Sequence, residues 1–80
     1  SRPSLMPSLP IISARALIAV LKKKRFLLDR VHGSHHIFIR TEDQRTVSVP
    51  VHKGRDLGRG ITKSILKDAE ISIEEFLALR

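Results

Sequence analysis

Residues 26–51 read FLLDRVHGSHHIFIRTEDQRTVSVPV, and the alternation in this stretch decides the fold. Side chains along a strand point to opposite faces with a period of two. Phe26–Val31 fits a first strand, with Phe26, Leu28 and Arg30 on one side. HHIFIRT fits a second: His35, Ile37 and Ile39 face one way, His36, Phe38 and Arg40 the other. EDQ is a polar turn. RTVSVPV fits a third, with Val47, Val49 and Val51 alternating against Ser48. Pro50 cannot donate to a ladder, so it marks the strand's end or a sheet edge.

Helical signals flank this block. Upstream, Ala14, Leu17, Ile18 and Leu21 follow the i, i+3, i+4, i+7 pattern of an amphipathic helix. Ser13 is its N-cap, and Ile12 and Leu17 sit at hydrophobic-staple spacing. Lys22, Lys23, Lys24 and Arg25 close it, where cations suit the negative end of the helix dipole. Downstream, HKGRDLGRG (52–60) reads as a loop. Ile61, Ile65, Leu66 and Ala69 support a second helix. SIEE (72–75) is a capping box, with Ser72 as N-cap, Glu75 three residues on, and Ile71 and Phe76 as staple. A short third helix follows to about Leu79. The order α-β-β-β-α(-α) predicts an α+β fold: a three-stranded antiparallel sheet with helices packed on one face.

The chain has 80 residues and a net charge of +7. That length makes one small domain. Pro3, Pro7 and Pro10 mark residues 1–10 as an extended arm, with residues 11–80 as a single domain. Met6 is a candidate natural start, with Ser1–Leu5 as an addition. Without cysteine there is no disulfide framework and no thiolate metal site. No apolar stretch approaches the roughly 20 residues of a membrane span. Ser1–Thr41 carry eight Lys or Arg and one acid, Asp29, whereas Asp68, Glu70, Glu74 and Glu75 crowd the last thirteen residues. The first half is therefore a candidate surface for an anionic partner: RNA, DNA or an acidic protein. The KKKR run has two readings, as helix-dipole partner and as RNA contact.

Several chemistries are absent. There is no Walker-type loop, no G-x-G-x-x-G and no H-E-x-x-H. Trp and Tyr are missing, and the three Phe fall at core positions. A sheet that stacks bases on aromatics is thereby disfavoured. The four histidines remain: His32, His35, His36 and His52. Zinc would need three or four converging ligands with carboxylate support, and Asp29 is the only acid near by sequence. Acid–base work on RNA needs less. RNA supplies its own nucleophile, the 2′-hydroxyl, and an imidazole titrating near ~6.5 can take or give a proton at neutral pH. Gly33 allows a positive φ and close approach to a phosphate. Ser34 adds a hydroxyl. His35 stands where loop becomes strand, and His36 points to the opposite face. Lys22 to Arg25, Arg30, Arg40 and Lys53 are candidates for stabilising phosphate charge. Alternatively both histidines of the pair are strand-end residues with local hydrogen bonds.

LKKKRFLLDRVHGSHHIFIR, then VSVPVHKG, then GITKSILKDAEIS resembles the HicA family, the mRNA interferases of bacterial toxin–antitoxin modules. The resemblance covers nearly everything after Met6. It implies a fold like the double-stranded RNA-binding domain. It implies metal-independent cleavage of mRNA without a cofactor, inhibition by a HicB-type antitoxin, and a monomeric toxin within that complex in the bacterial cytoplasm. It puts the catalytic histidine directly after Gly-Ser, at His35, with Gly33 and Ser34 shaping the site. For His52 and its neighbours it implies only proximity to the sheet edge. Two departures stand out. Arg25 occupies the position where the family usually has Gly, and Ser13-Ala14-Arg15 replaces Ser-Gly-Lys. The competing reading is a non-catalytic RNA-binding module of the same fold. Against it, the second helix offers only Lys63 and Lys67 where such modules carry a dense lysine cluster.

Overall fold

The computed structural model describes residues 9–80. The elements run β1 (Ile12–Ser13), α1 (Ala14–Lys23), β2 (Leu27–His32), β3 (His35–Arg40), β4 (Arg45–Pro50), β5 (Asp56–Leu57), α2 (Arg59–Ala69) and α3 (Ile73–Leu79). The strands β2, β3 and β4 form an antiparallel meander in that spatial order, and β1 pairs with β5 in a separate two-stranded ladder. Both main helices lie over β4 on one face of the sheet, and α3 packs on α1 and α2. The expected α+β architecture is present.

The β3 alternation holds as read. Phe38 is fully buried under the helices, facing Val47 across the ladder, and Val49 is buried beside it. Ile37 and Ile39 stand on the open face opposite Ser48 and Thr46. Three phenylalanines anchor the core: Phe26, Phe38 and Phe76, each no more than 1% exposed. The caps also form as expected. The Ser13 hydroxyl accepts the Ala16 N–H at 3.1 Å, and Ile12 and Leu17 are buried as the staple.

Both α1 and α2 end in the same device. At the first, the Phe26 N–H reaches the Leu21 carbonyl and the Arg25 N–H reaches Lys22. At the second, Ile71 reaches Leu66 and Glu70 reaches Lys67. These paired bonds are the Schellman closure, and each packs an apolar residue back on the core. The turning residue is left-handed in both, Arg25 at φ 72° and Glu70 at φ 60°. Such a conformation costs a residue with a Cβ roughly 1–2 kcal/mol. The Phe26 and Ile71 burial that each turn enables is worth roughly 1.5–3 kcal/mol apiece, so the turn is kept without glycine.

Four expectations are corrected. The first strand begins at Leu27, and a bulge between Leu28 and Arg30 breaks the period, so Phe26, Leu28 and Arg30 do not share a side. Leu28 pairs with Phe38 on the helix side, and Arg30 pairs with Ile37 on the open side. The loop after β4 contains β5, whose Leu57 is buried against Ile12. The α2 core face is Thr62, Ile65, Leu66 and Ala69, while Ile61 is 48% exposed. Ser72 accepts the Glu75 N–H at 3.0 Å, but the Glu75 carboxylate is drawn to Lys24 at 2.5 Å rather than back to the cap. Of the proposed arm, residues 1–8 lie outside the described residues. Leu9 is buried, and its carbonyl accepts Arg59 Nε at 2.8 Å.

Thr62 is fully buried and its hydroxyl has no hydrogen-bond partner among the described residues. An unsatisfied hydroxyl in an apolar setting costs about 1–3 kcal/mol. Thr62→Val keeps the shape and removes the group, so we expect a gain of about 1 kcal/mol, read as a higher urea midpoint at unchanged slope.

Candidate active site

The β2–β3 connection is the shortest a hairpin uses: His32 and His35 pair across the strands, with Gly33 and Ser34 alone between them. Gly33 has φ +64°, and Ser34 is not left-handed, the sign pattern of a type II′ turn. A Cβ built on Gly33 would meet nothing within 4 Å, so the dihedral, not crowding, requires glycine here. The Ser34 carbonyl accepts the Val51 N–H at 2.7 Å, which ties the turn to the end of β4 past Pro50.

His35 is exposed on the open face of the sheet. Its Nδ1 lies 3.2 Å from Ser48 Oγ, and Ser48 sits on β4 opposite Ile37. That contact orients the ring and leaves Nε2 as the second proton site. His32 is its direct register partner, also exposed. Cross-strand partners share a face, with Cα atoms about 5.5 Å apart in a hydrogen-bonded pair. Two imidazoles therefore stand together at the rim. By sequence alone His32 is a candidate only as a metal ligand. The spacing carries the further signal: two histidines flanking a Gly-Ser pair is itself a hairpin signature. His36 is half-buried on the helix side, opposite Val49 and Val31, with its Nδ1 buried and without a partner among the described residues. His52 opens a turn closed by Arg55 N–H to its carbonyl at 3.0 Å, with Gly54 at φ +75°. Among the described residues no three His, Cys, Asp or Glu side chains converge to hold a metal.

The candidate cations divide into two groups. Lys53 lies two residues past Val51, whose N–H the Ser34 carbonyl accepts, and Arg55 closes the turn that His52 opens. Neither has an ion-pair partner among the described residues. Arg30 shares the His35 face but is paired with Asp29 at 2.5 Å. Arg40 lies at the other end of β3, five residues away, about 16 Å at ~3.3 Å per residue. It is on the helix side, its side chain 14% exposed and its guanidinium 4.7 Å from the Phe26 ring centroid. The lysine run is at that far end too. Lys23 Nζ donates to the Leu79 carbonyl at 2.6 Å, Lys24 pairs with Glu75, and Arg25 pairs with Glu42. Only Lys22 of the four has no such partner among the described residues. The fold does not bring Lys22, Lys23, Lys24 or Arg40 together with His35.

At that far end Asp43 accepts Arg40 through both carboxylate oxygens, at 3.1 and 2.9 Å, and the Arg45 N–H at 3.2 Å. The Arg40 bonds, above all, hold its carboxyl down at about 2, against an ordinary 3.8, and hold the guanidinium's own value up. Because the folded value is the lower one, the stabilisation is fully present above the unfolded-chain value and is lost as pH falls through about 2. Thermal melts should show the parent more stable than Asp43→Asn above about pH 4, with the two converging on acidification.

Two shallow hollows accompany these features. One of about 310 Å³ is walled by Lys23, Lys24, Arg25, Arg40 and Glu42. Another of about 370 Å³ lies where α2 meets α3, over Leu66, Ile71 and Ile73. Neither is lined by His35, which is exposed at the open rim of the sheet. No helix of the described residues is long and apolar enough to cross a membrane.

One protein-family model matches, described as HicA toxin of bacterial toxin-antitoxin, over residues 14–71. No curated protein matches the chain.

Proposed function

Because this chain belongs to the HicA toxin family of bacterial toxin–antitoxin systems, we propose that it is a metal-independent endoribonuclease that cuts mRNA through His35. The observation that carries the reading is the exposed His35 ring, oriented through Nδ1 by Ser48 and paired across the hairpin with His32. One imidazole takes the proton of the RNA 2′-hydroxyl. The 2′-oxygen then forms its bond to phosphorus as the bond to the 5′-oxygen breaks, and the leaving oxygen needs a proton in return. His35 serves one of these transfers, and His32 is the nearest group for the other. Positioned acid–base groups of this kind are worth roughly 10²–10⁴ in rate.

The phosphate charge is met by Lys53 and Arg55, with Gly33 and Ser34 giving the backbone close approach. Arg30 can join them if Asp29 releases it. Lys22, Lys23, Lys24 and Arg40 lie too far from His35 to meet the same phosphate. Residues 11–80 work as one toxin domain, in the bacterial cytoplasm, under a HicB-type antitoxin that covers the His35 rim. No cofactor enters the reaction.

In EDTA the chain should cut a labelled single-stranded mRNA, and His35→Ala should lose at least 10²-fold in rate while keeping its melting temperature. Equal cleavage by both would remove His35 from the mechanism. RNA binding by both with no cleavage would favour the non-catalytic module. Lys53→Ala and Arg55→Ala should each lower the log–log salt slope of RNA binding by about 0.7, the increment per phosphate contact on a single strand.

A further inference from the structure

One edge of the sheet is unusually bare. The order β2-β3-β4 leaves the outer side of β2 without a hydrogen-bonded neighbour among the described residues. All six of its residues are exposed. Of the five large apolar side chains exposed among the described residues, three are here: Leu27 at 61%, Leu28 at 49% and Val31 at 53%. The helices sit over β4, so β2 overhangs on both faces. Edges are normally blunted with proline, lysine or a covering loop. Here the blunting feature is the bulge at Asp29.

That bulge decides what the edge can accept. A two-residue turn is closed by a hydrogen-bonded pair, so the His32 backbone groups point to β3. Counting back along the register, Arg30 and Leu27 also turn towards β3, and Val31 and Leu28 turn outward. In a regular strand the outward residues are two apart; here they are three apart. A regular strand would match the edge at one point only. A second copy, running antiparallel, matches at both: Leu28 meets Val31 of the second copy, and Val31 meets its Leu28. Between these contacts Asp29 faces Arg30 of the second copy, and Arg30 faces its Asp29, so each exchanges its partner within the chain for one across the seam. Leu28 and Val31 both stand on the helix side, so the apolar contacts form on one face.

We propose that two copies of this chain pair along β2, antiparallel about the midpoint of Asp29 and Arg30, forming one continuous sheet. The inference goes beyond the nuclease reading and does not depend on it. It departs from the expected monomer only at high concentration. The contact is small beside the ~1,200 Å² of a stable interface, and the +7 charge of each copy opposes it. Salt screens that repulsion over ~8 Å at physiological strength, so added salt favours pairing, the reverse of its effect on RNA binding.

Analytical ultracentrifugation of the full chain, from about 10 µM to about 1 mM in about 0.5 M NaCl, tests this directly. The mass should climb from 9.0 kDa towards twice that value. Asp29→Arg sets arginine against arginine at both contacts, and Arg30→Asp sets aspartate against aspartate. Each should weaken association about tenfold or more, and the double exchange D29R/R30D should restore it. Leu28→Lys, at an exposed position, should hold the chain at monomer mass with an unchanged circular dichroism spectrum. A parent that stays at 9.0 kDa throughout overturns the proposal and leaves the edge to a strand of another protein. So does self-association that the single exchanges or Leu28→Lys leave unchanged, or that the double exchange fails to restore.

Discussion

A left-handed backbone at Gly33 sets the parity of everything that follows it. With only Gly33 and Ser34 between the strands, His32 and His35 must pair, and the register of β3 is fixed from that point outward. Parity then assigns each residue to a face. His35, Ile37 and Ile39 go to the open side; His36, Phe38 and Arg40 go beneath the helices. The next ladder carries the same assignment to β4, putting Val47 and Val49 in the core and Ser48 beside His35. A slip of one residue would exchange the faces, burying His35 and exposing Phe38. Core and candidate site are thus two sides of one register.

The charges are sorted by the same geometry. A lysine run in a +7 chain invites an electrostatic reading, yet three of its four cations are spent on joining parts of the fold. Lys23 and Lys24 fasten the end of α1 to α3, and Arg25 reaches the β3–β4 turn. Arg45 does the same for α2, donating to the Asp68 carbonyl at 2.9 Å and pairing with Glu70 at 3.0 Å. Two acids of the C-terminal part serve as counter-charges to cations earlier in the chain, Glu75 for Lys24 and Glu70 for Arg45. The cations left without partners among the described residues include Lys53 and Arg55, in the turn that follows β4.

Much of this was legible because it rests on local rules. Ile37 and Phe38 declare their faces by alternation, Ser13 and Ser72 declare helix starts by side-chain capping, and Gly33-Ser34 allows a tight turn. The bulge at Asp29 was not legible, because an extra residue leaves no mark on composition, and it moved Leu28 to the opposite side from Arg30. The strands β1 and β5 are too short to carry a period and exist only through each other. Thr62 displaced Ile61 from the core because the phase of α2 is set by its neighbours Ile65, Leu66 and Ala69. The two fates of Glu75, cap or ion pair, were decided by Lys24, which is distant in sequence. His32 gained its place beside His35 only once the pairing was known.

The ladder between β1 and β5 has a consequence in time. The meander closes through turns of two and four residues, contacts that a chain finds early and that cost little loop entropy. The seam of Ile12 and Ser13 with Leu57 and Asp56 spans most of the chain and has only two residue pairs to hold it. It is therefore the natural last step of assembly and the first place to breathe, with amides that exchange ahead of those in β3. The hairpin bearing His32 and His35 belongs to the early half, so the histidine rim takes shape while the ends of the domain are still unsewn.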